Sequence, residues 1–314
     1  MAETIQFDRI AIIGIGLIGS SIARAILRGN LTAELAISDA SPQHLSEAEK
    51  LELGHAFHQN PLDAVKDADL VILCTPVGTY REIGEKIAPG LKAGAIVSDV
   101  GSVKEHVVNS LQDVLPAHVD FIPGHPISGT EKSGPASGFA ELFDHRFCVL
   151  TPTDNAAQLS VDRLKAFWEA IGSDVEIMDA KHHDLVLAIT SHVPHLIAYN
   201  IVGTADDLES VTKSEVIKFS AGGFRDFTRI AASDPIMWRD VFLTNREAVL
   251  EMLGRFLEDL SMLQRAVRDS DGEMLEGLFT RTRNIRRSII DAGQETDEAD
   301  FGRHHRAEAD EDQA

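Results

Sequence analysis

The chain has 314 residues, 44% of them apolar, and a formal charge of −21 at pH 7. That length suffices for two domains with cores of their own. So acidic a balance excludes a nucleic-acid partner, which would need a basic face to follow phosphates.

The first half alternates strand and helix. Arg9 to Ile13 reads as a short apolar strand, and Leu17 to Leu27 carries helical spacing. Leu35 to Ser38 is a second strand, ending at Asp39. Leu70 to Cys74 is a buried strand followed by a helix over Tyr80 to Ile87. Ala95 to Ser98 and the helix Val103 to Leu115 repeat the unit, and Val119 to Ile122 is a further strand. Phe147 to Leu150 and Val175 to Met178 are expected at a sheet edge. This βαβ rhythm predicts a Rossmann-type, doubly wound parallel sheet with helices on both faces.

Past residue 180 strand signals vanish, and helical spacing runs over Asp184 to Val202, Ile236 to Leu263 and Glu273 to Ile290. The expected organisation is a dinucleotide-binding domain over 1–180, an all-helical domain over 181–293 and a tail over 294–314. From Glu295 onward that tail sets eight acidic residues against Arg303 and Arg306, a disordered and solubilising composition. No run of about 18 apolar residues occurs, so neither a spanning helix nor a membrane partner is expected. The acidic start, Met1-Ala2-Glu3-Thr4, lacks the form of a signal peptide. Cys74 and Cys148 lie in apolar runs and read as reduced core residues, which points to the cytoplasm.

Gly14-Ile15-Gly16-Leu17-Ile18-Gly19 follows a strand and opens a helix, the context a dinucleotide fingerprint requires. Gly14 permits the tight turn, Gly16 lets backbone approach a pyrophosphate, and Gly19 lets the helix pack on the sheet. The N–H groups of Leu17, Ile18 and their neighbours then face the phosphate charge. Asp39, 20 residues past Gly19, is placed to accept from ribose hydroxyls. Its other reading is an ordinary turn residue. A carboxylate there repels a 2′-phosphate, and no arginine follows in Asp39-Ala40-Ser41, so NAD is expected rather than NADP.

Three polar clusters close three strands: Thr75-Pro76, Asp99-Val100-Gly101-Ser102 and the segment opened by His125. Ligands of such sheets bind at the strands' carboxyl ends. Hydride removal from an alcohol carbon needs an acceptor for the hydroxyl proton, and His125 is the candidate. The bland reading of His125 is a structural histidine. Ser102 could polarise it or, with Glu105, form a capping box.

In the helical half, Ser191-His192-Val193-Pro194-His195 lies in an apolar helix that Pro194 should kink. Its histidines suit substrate contact or core packing; no cysteine or carboxylate at ligand spacing supports a metal. Gly222-Gly223-Phe224-Arg225-Asp226-Phe227-Thr228-Arg229 offers arginines for bidentate carboxylate capture, or for surface ion pairs.

Taken in order, Gly14 to Gly19, Asp99 to Lys104, His125 to Glu131, Ser191 to His195, Gly222 to Arg229 and Asp234 to Trp238 resemble the prephenate/arogenate (cyclohexadienyl) dehydrogenases of tyrosine biosynthesis. The resemblance covers about residues 8–290. It implies an NAD-dependent oxidative decarboxylation in a homodimer held by the helical domain, without a metal. His125 would be the base for the substrate hydroxyl and Ser102 its assistant. Arg229 would bind a substrate carboxylate, His195 and Thr130 would line the pocket, and Asp226 and Trp238 would support it. Gly14, Gly16, Leu17, Ile18, Gly19, Asp39, Thr75 and Pro76 would hold NAD. Ser128 departs from the alanine that many relatives carry. The few residues after the last helix leave no room for a regulatory domain, so tyrosine is expected to inhibit at the active site. Glu131 is a candidate partner for the ammonium that arogenate carries and prephenate lacks.

Two other readings compete. A β-hydroxyacid dehydrogenase would use a lysine of the helical half, but Lys181, Lys213 and Lys218 sit in no matching motif. A non-catalytic NAD sensor would need the glycines and Asp39, but not His125, Ser102 and Arg229 together.

Overall fold

Branched aliphatic runs too short for helices build the centre of the fold. The computed structural model describes residues 7–130, 132–212 and 222–291. Six strands form one sheet: β1 (Phe7–Ile13), β2 (Thr32–Ser38), β3 (Ala56–His58), β4 (Leu70–Leu73), β5 (Ile96–Asp99) and β6 (Asp120–Phe121). Their order is β3-β2-β1-β4-β5-β6, and every pairing is parallel. Strand order reverses between β1 and β4, which opens a crevice at their carboxyl ends. The crossovers carry α1 (Leu17–Gly29), α2 (Pro42–Lys50), α3 (Pro61–Ala64), α4 (Tyr80–Ile87) and α5 (Glu105–Leu111). With both faces covered, a strand such as Leu70-Val71-Ile72-Leu73 is buried at every position. Ile10, Ile12, Leu35, Ile72 and Ile96 pack with Ile22, Phe143, Phe167 and Trp168 in one core. Each such side chain contributes on the order of 1.5–3 kcal/mol.

The expected edge strands are not on this sheet. Gly124–Pro126 (β7), Phe147–Leu150 (β8) and Asp174–Ile177 (β9) form a separate three-stranded sheet, β7 antiparallel to β8 and β8 parallel to β9. Ile122 N–H still donates to the Val97 carbonyl, but the next inward-facing N–H, that of Gly124, goes to the Asp99 side chain instead of the β5 backbone. The chain leaves the large sheet there, and the Pro123 carbonyl accepts instead from Thr151 N–H. Between β8 and β9 runs α6 (Gln158–Ala170).

The later helices are α7 (Ala180–Leu187), α8 (Val193–Thr212), α9 (Gly222–Thr228), α10 (Pro235–Thr244), α11 (Arg246–Asp269) and α12 (Gly272–Asp291). A π-helical segment, Ala188–His192, joins α7 to α8. It falls just before Pro194, whose missing N–H cannot close an ordinary turn. The single helix expected over Ile236 to Leu263 is two helices, parted at Asn245. That side chain donates to the Asp184 carbonyl at 2.9 Å and lies 3.0 Å from His192 Nδ1.

The chain divides into two compact units. The first holds the described residues up to Pro194 together with Ala232–Leu250, and so includes α7, the π segment and α10. The second holds the described residues of His195–Ala231 and those from Glu251 onward. The helical run Ala180–Leu208 is long and apolar enough to cross a bilayer by length and composition. Its buried His183, Asp184 and His192 are instead tied into the first unit. The acidic tail, Glu131, Lys213 and Lys218 lie outside the described residues.

Candidate active site

Glycine chemistry shapes the loop after β1. Gly14 adopts φ 99°, and a Cβ there would stand 2.8 Å from the Cys74 carbonyl. A Cβ on Gly19 would stand 2.1 Å from the Gly14 oxygen, so only glycine lets α1 approach. Around Gly16 the space is open. No side chain caps the start of α1, which leaves the N–H groups of its first turn for a ligand. Asp39, 14% exposed at the end of β2, accepts from Ile15 N–H at 2.9 Å and from Ser41 N–H at 2.8 Å. It braces the glycine loop while presenting a carboxylate at the strand end. After β4, the Thr75 and Thr79 hydroxyls pair at 2.9 Å, beside Pro76. These residues fit a dinucleotide: the turn, the open cradle and the acidic strand end are all present.

Next to this crevice, β5 ends in a fully buried ion pair. Lys104 Nζ lies 2.5 Å from Asp99 Oδ2 and donates to the Gly124 carbonyl at 2.6 Å. The Asp99 carboxylate also accepts from Gly101 and Gly124 N–H. Burial pushes the Lys104 ammonium down and the Asp99 carboxyl up, and their contact opposes both shifts. The pair anchors β7 at the carboxyl end of β5, and the next residue is His125.

His125 is 8% exposed and pairs across β7–β8 with Val149. Its Nδ1 lies 2.8 Å from His183 Nε2, and His183 Nδ1 lies 2.8 Å from Asp184 Oδ1. The Asp184 carboxylate also accepts from Lys104 N–H at 2.7 Å and Glu105 N–H at 2.9 Å. That contact replaces the expected capping box: α5 begins at Glu105 rather than Val103, and Asp184, not Ser102, takes its first N–H groups. Burial above all, then His183, Lys104 and His192, hold the His125 imidazolium well below the usual histidine range. Burial and Lys104 lower His183 too, against its bond to Asp184. The resting imidazole of His125 is therefore neutral.

The other expected residues are distributed as follows. Ser102 is half-buried between β5 and α5, and the side-chain hydrogen bond of His125 runs to His183 rather than to Ser102. Thr130 is exposed and accepts from Lys132 N–H. The Ser128 hydroxyl is buried without a hydrogen-bond partner among the described residues. Trp238 is buried, edge-on to His192 at 6.0 Å and tilted against Phe242 at 5.5 Å. Among the described residues no three metal-ligating side chains gather. The second unit carries His195, half-buried on α8, Asp226, half-buried on α9, and Arg229, exposed just beyond α9. Sequence reasoning missed His183, Asp184 and the Asp99–Lys104 pair. The adjacent His182-His183-Asp184 was a readable signal, but its partner is 58 residues away.

Comparison with known proteins places these findings. The chain matches the family model "Prephenate dehydrogenase, nucleotide-binding domain" over residues 22–177 and "Prephenate dehydrogenase, dimerization domain" over residues 179–281. It is 41% identical over 283 residues to a cyclohexadienyl dehydrogenase of Zymomonas mobilis, covering 90% of this chain and 96% of that one. It is 34% identical to a prephenate dehydrogenase of Bacillus subtilis, covering 89% of this chain and 75% of that one. Its fold superposes with a TM-score of 0.83 and 34% identity on the crystal structure of prephenate dehydrogenase from A. aeolicus in complex with hydroxyphenyl propionate and NAD+. That match covers 92% of this chain and all of the other.

Proposed function

Because the chain belongs to the prephenate dehydrogenase family, with NAD as cofactor, we propose that it oxidatively decarboxylates prephenate, L-arogenate or both. The products are 4-hydroxyphenylpyruvate and L-tyrosine respectively. The observation that carries the catalytic assignment is the buried imidazole of His125, held where β7 meets the carboxyl end of β5.

NAD, when bound, accepts the hydride from the ring carbon that bears the hydroxyl. Gly14, Gly16, Gly19 and the first N–H groups of α1, at Leu17 and Ile18, hold its pyrophosphate, with Thr75 and Pro76 on the neighbouring strand end. Asp39 takes the ribose hydroxyls and repels a 2′-phosphate. His125 takes the substrate hydroxyl proton as the hydride leaves. It returns that proton to the phenolic oxygen once the ring carboxylate has departed as CO2, so the reaction consumes and releases no net proton. Aromatisation makes the step effectively irreversible. Ser102 assists from the loop after β5. The planar guanidinium of Arg229 suits bidentate capture of a substrate carboxylate. His195 and Thr130 line the substrate, Asp226 and Trp238 support these groups, and tyrosine competes with substrate at the same site. Two such chains associate through the helical domain.

The test is NAD reduction by the purified protein with prephenate and L-arogenate in parallel and NADP as control. Turnover with either is expected, and the ratio of their kcat/KM values names the preferred substrate. His125→Asn should lower kcat by roughly 10²–10⁴-fold while leaving NAD affinity unchanged. NAD binding without turnover of either substrate would favour the sensor reading, and full activity in His125→Asn would move the base elsewhere.

A further inference from the structure

We propose that His183 and Asp184 are positioning residues. They hold His125 in the tautomer that carries hydrogen on Nδ1 and leaves the Nε2 lone pair for the substrate hydroxyl. This rests on the reading of His125 as the hydroxyl's proton acceptor.

Two hydrogen bonds link Asp184 to His125 through His183. Asp184 already accepts from Lys104 and Glu105 N–H, and a carboxylate has no hydrogen to give. Its 2.8 Å contact with His183 Nδ1 therefore makes that nitrogen the donor. A neutral His183 then has a bare Nε2, which can only accept. The 2.8 Å contact at that atom makes His125 Nδ1 the donor in turn. A neutral His125 is left with an unprotonated Nε2, the form a base needs. One carboxylate thus sets the polarity of the whole chain, as in a Ser-His-Asp triad, with a second imidazole in between.

The support is rigid at each joint. Asp184 is fixed by two backbone donors from the start of α5, and its own carbonyl by Asn245. His183 is fully buried. Around His125 stand His183 from α7, His192 from the π segment and Lys104 before α5, the last paired with Asp99 of β5. Proton transfer to His125 puts positive charge beside Lys104 and His192.

The experiment uses the full-length enzyme labelled with ¹⁵N-histidine. At a pH where both imidazoles are neutral, imidazole ¹⁵N correlation spectra report which nitrogen carries hydrogen, and His125→Asn assigns the His125 signals. The expected wild-type pattern is Nδ1–H for both His125 and His183, with Nε2–H rising at His125 in His183→Phe. In kinetics, His183→Phe should lower kcat by about 10²-fold while KM and NAD affinity stay within about threefold. His183→Gln, whose side-chain oxygen can still accept from His125 Nδ1, should recover at least a tenth of wild-type kcat; it also carries the kinetic arm if the phenylalanine variant does not fold. An Nε2–H tautomer at His125 in the wild-type enzyme overturns the proposal. So does a wild-type kcat in His183→Phe when His125→Asn is inactive. Full activity in His125→Asn defeats the base assignment instead, and the spectrum alone then decides the tautomer.

Discussion

Charging His125 means placing a cation where burial, His183, Lys104 and His192 all oppose it. A base must be unprotonated, so kcat/KM should stay flat as pH falls through 6.5 and decline only at more acid values. A profile with its acid midpoint at or above 6.5 would contradict this. Stability follows the same sign. Both His125 and His183 have folded pKa values below the ordinary 6.5, so below that pH the unfolded chain binds more protons than the native one. Their contribution is present above pH 6.5 and is lost as pH falls, which thermal unfolding between pH 7.5 and 5 would register. The glycine turn after β1, Asp39 at the end of β2 and the place of His125 beyond the β6 run were legible because local sequence sets them. His183 and Asp184 were not, since their meaning comes from partners that the fold brings in from 58 to 80 residues away.

At the level of elements, the Asp99–Lys104–Gly124 brace joins β5, β7 and the approach to α5. Lys104→Met would leave the buried Asp99 carboxylate without its counter-charge and the Gly124 carbonyl without its Lys104 donor. Removing one member of a buried ion pair costs about 3–5 kcal/mol. Denaturant unfolding should show a loss of that size, and a loss under 1 kcal/mol would mean the pair is held some other way. Most strands of the large sheet were readable because burial on both faces writes continuous apolar runs. β3 was missed: it has three half-buried residues and no such run. The second sheet was missed because only two residues separate β6 from β7, and the split at Asn245 because a side-chain hydrogen bond decides it.

At the scale of the molecule, the second unit carries apolar side chains that its own helices leave open. Leu257 is 51% exposed, Val267 66%, Phe279 56% and Ile285 55%. Apolar surface of this extent on long helices suits a second copy of the chain. Sedimentation at micromolar concentration should give twice the 34.2 kDa chain mass, and a monomer there would remove the homodimer from the proposal. The change from strands to helices near residue 180 was legible in periodicity. That α7, the π segment and α10 belong to the unit that holds the sheet was not, because an apolar helical face does not say which neighbour it will meet.

The π segment has a bearing on which length changes the chain can accept. Its hydrogen-bonded turn holds one residue more than an α turn. Deleting any one of Ala188–His192 would close the wider turn to an α turn, so that α8 keeps its register while the residues of the turn itself, His192 among them, are displaced. A surface loop such as 151–157 can be doubled in length for about 0.6 kcal/mol. Longer insertions and deletions should therefore collect in such loops, and a one-residue gap in Ala188–His192 would mark a relative in which only that turn, with His192, is arranged differently.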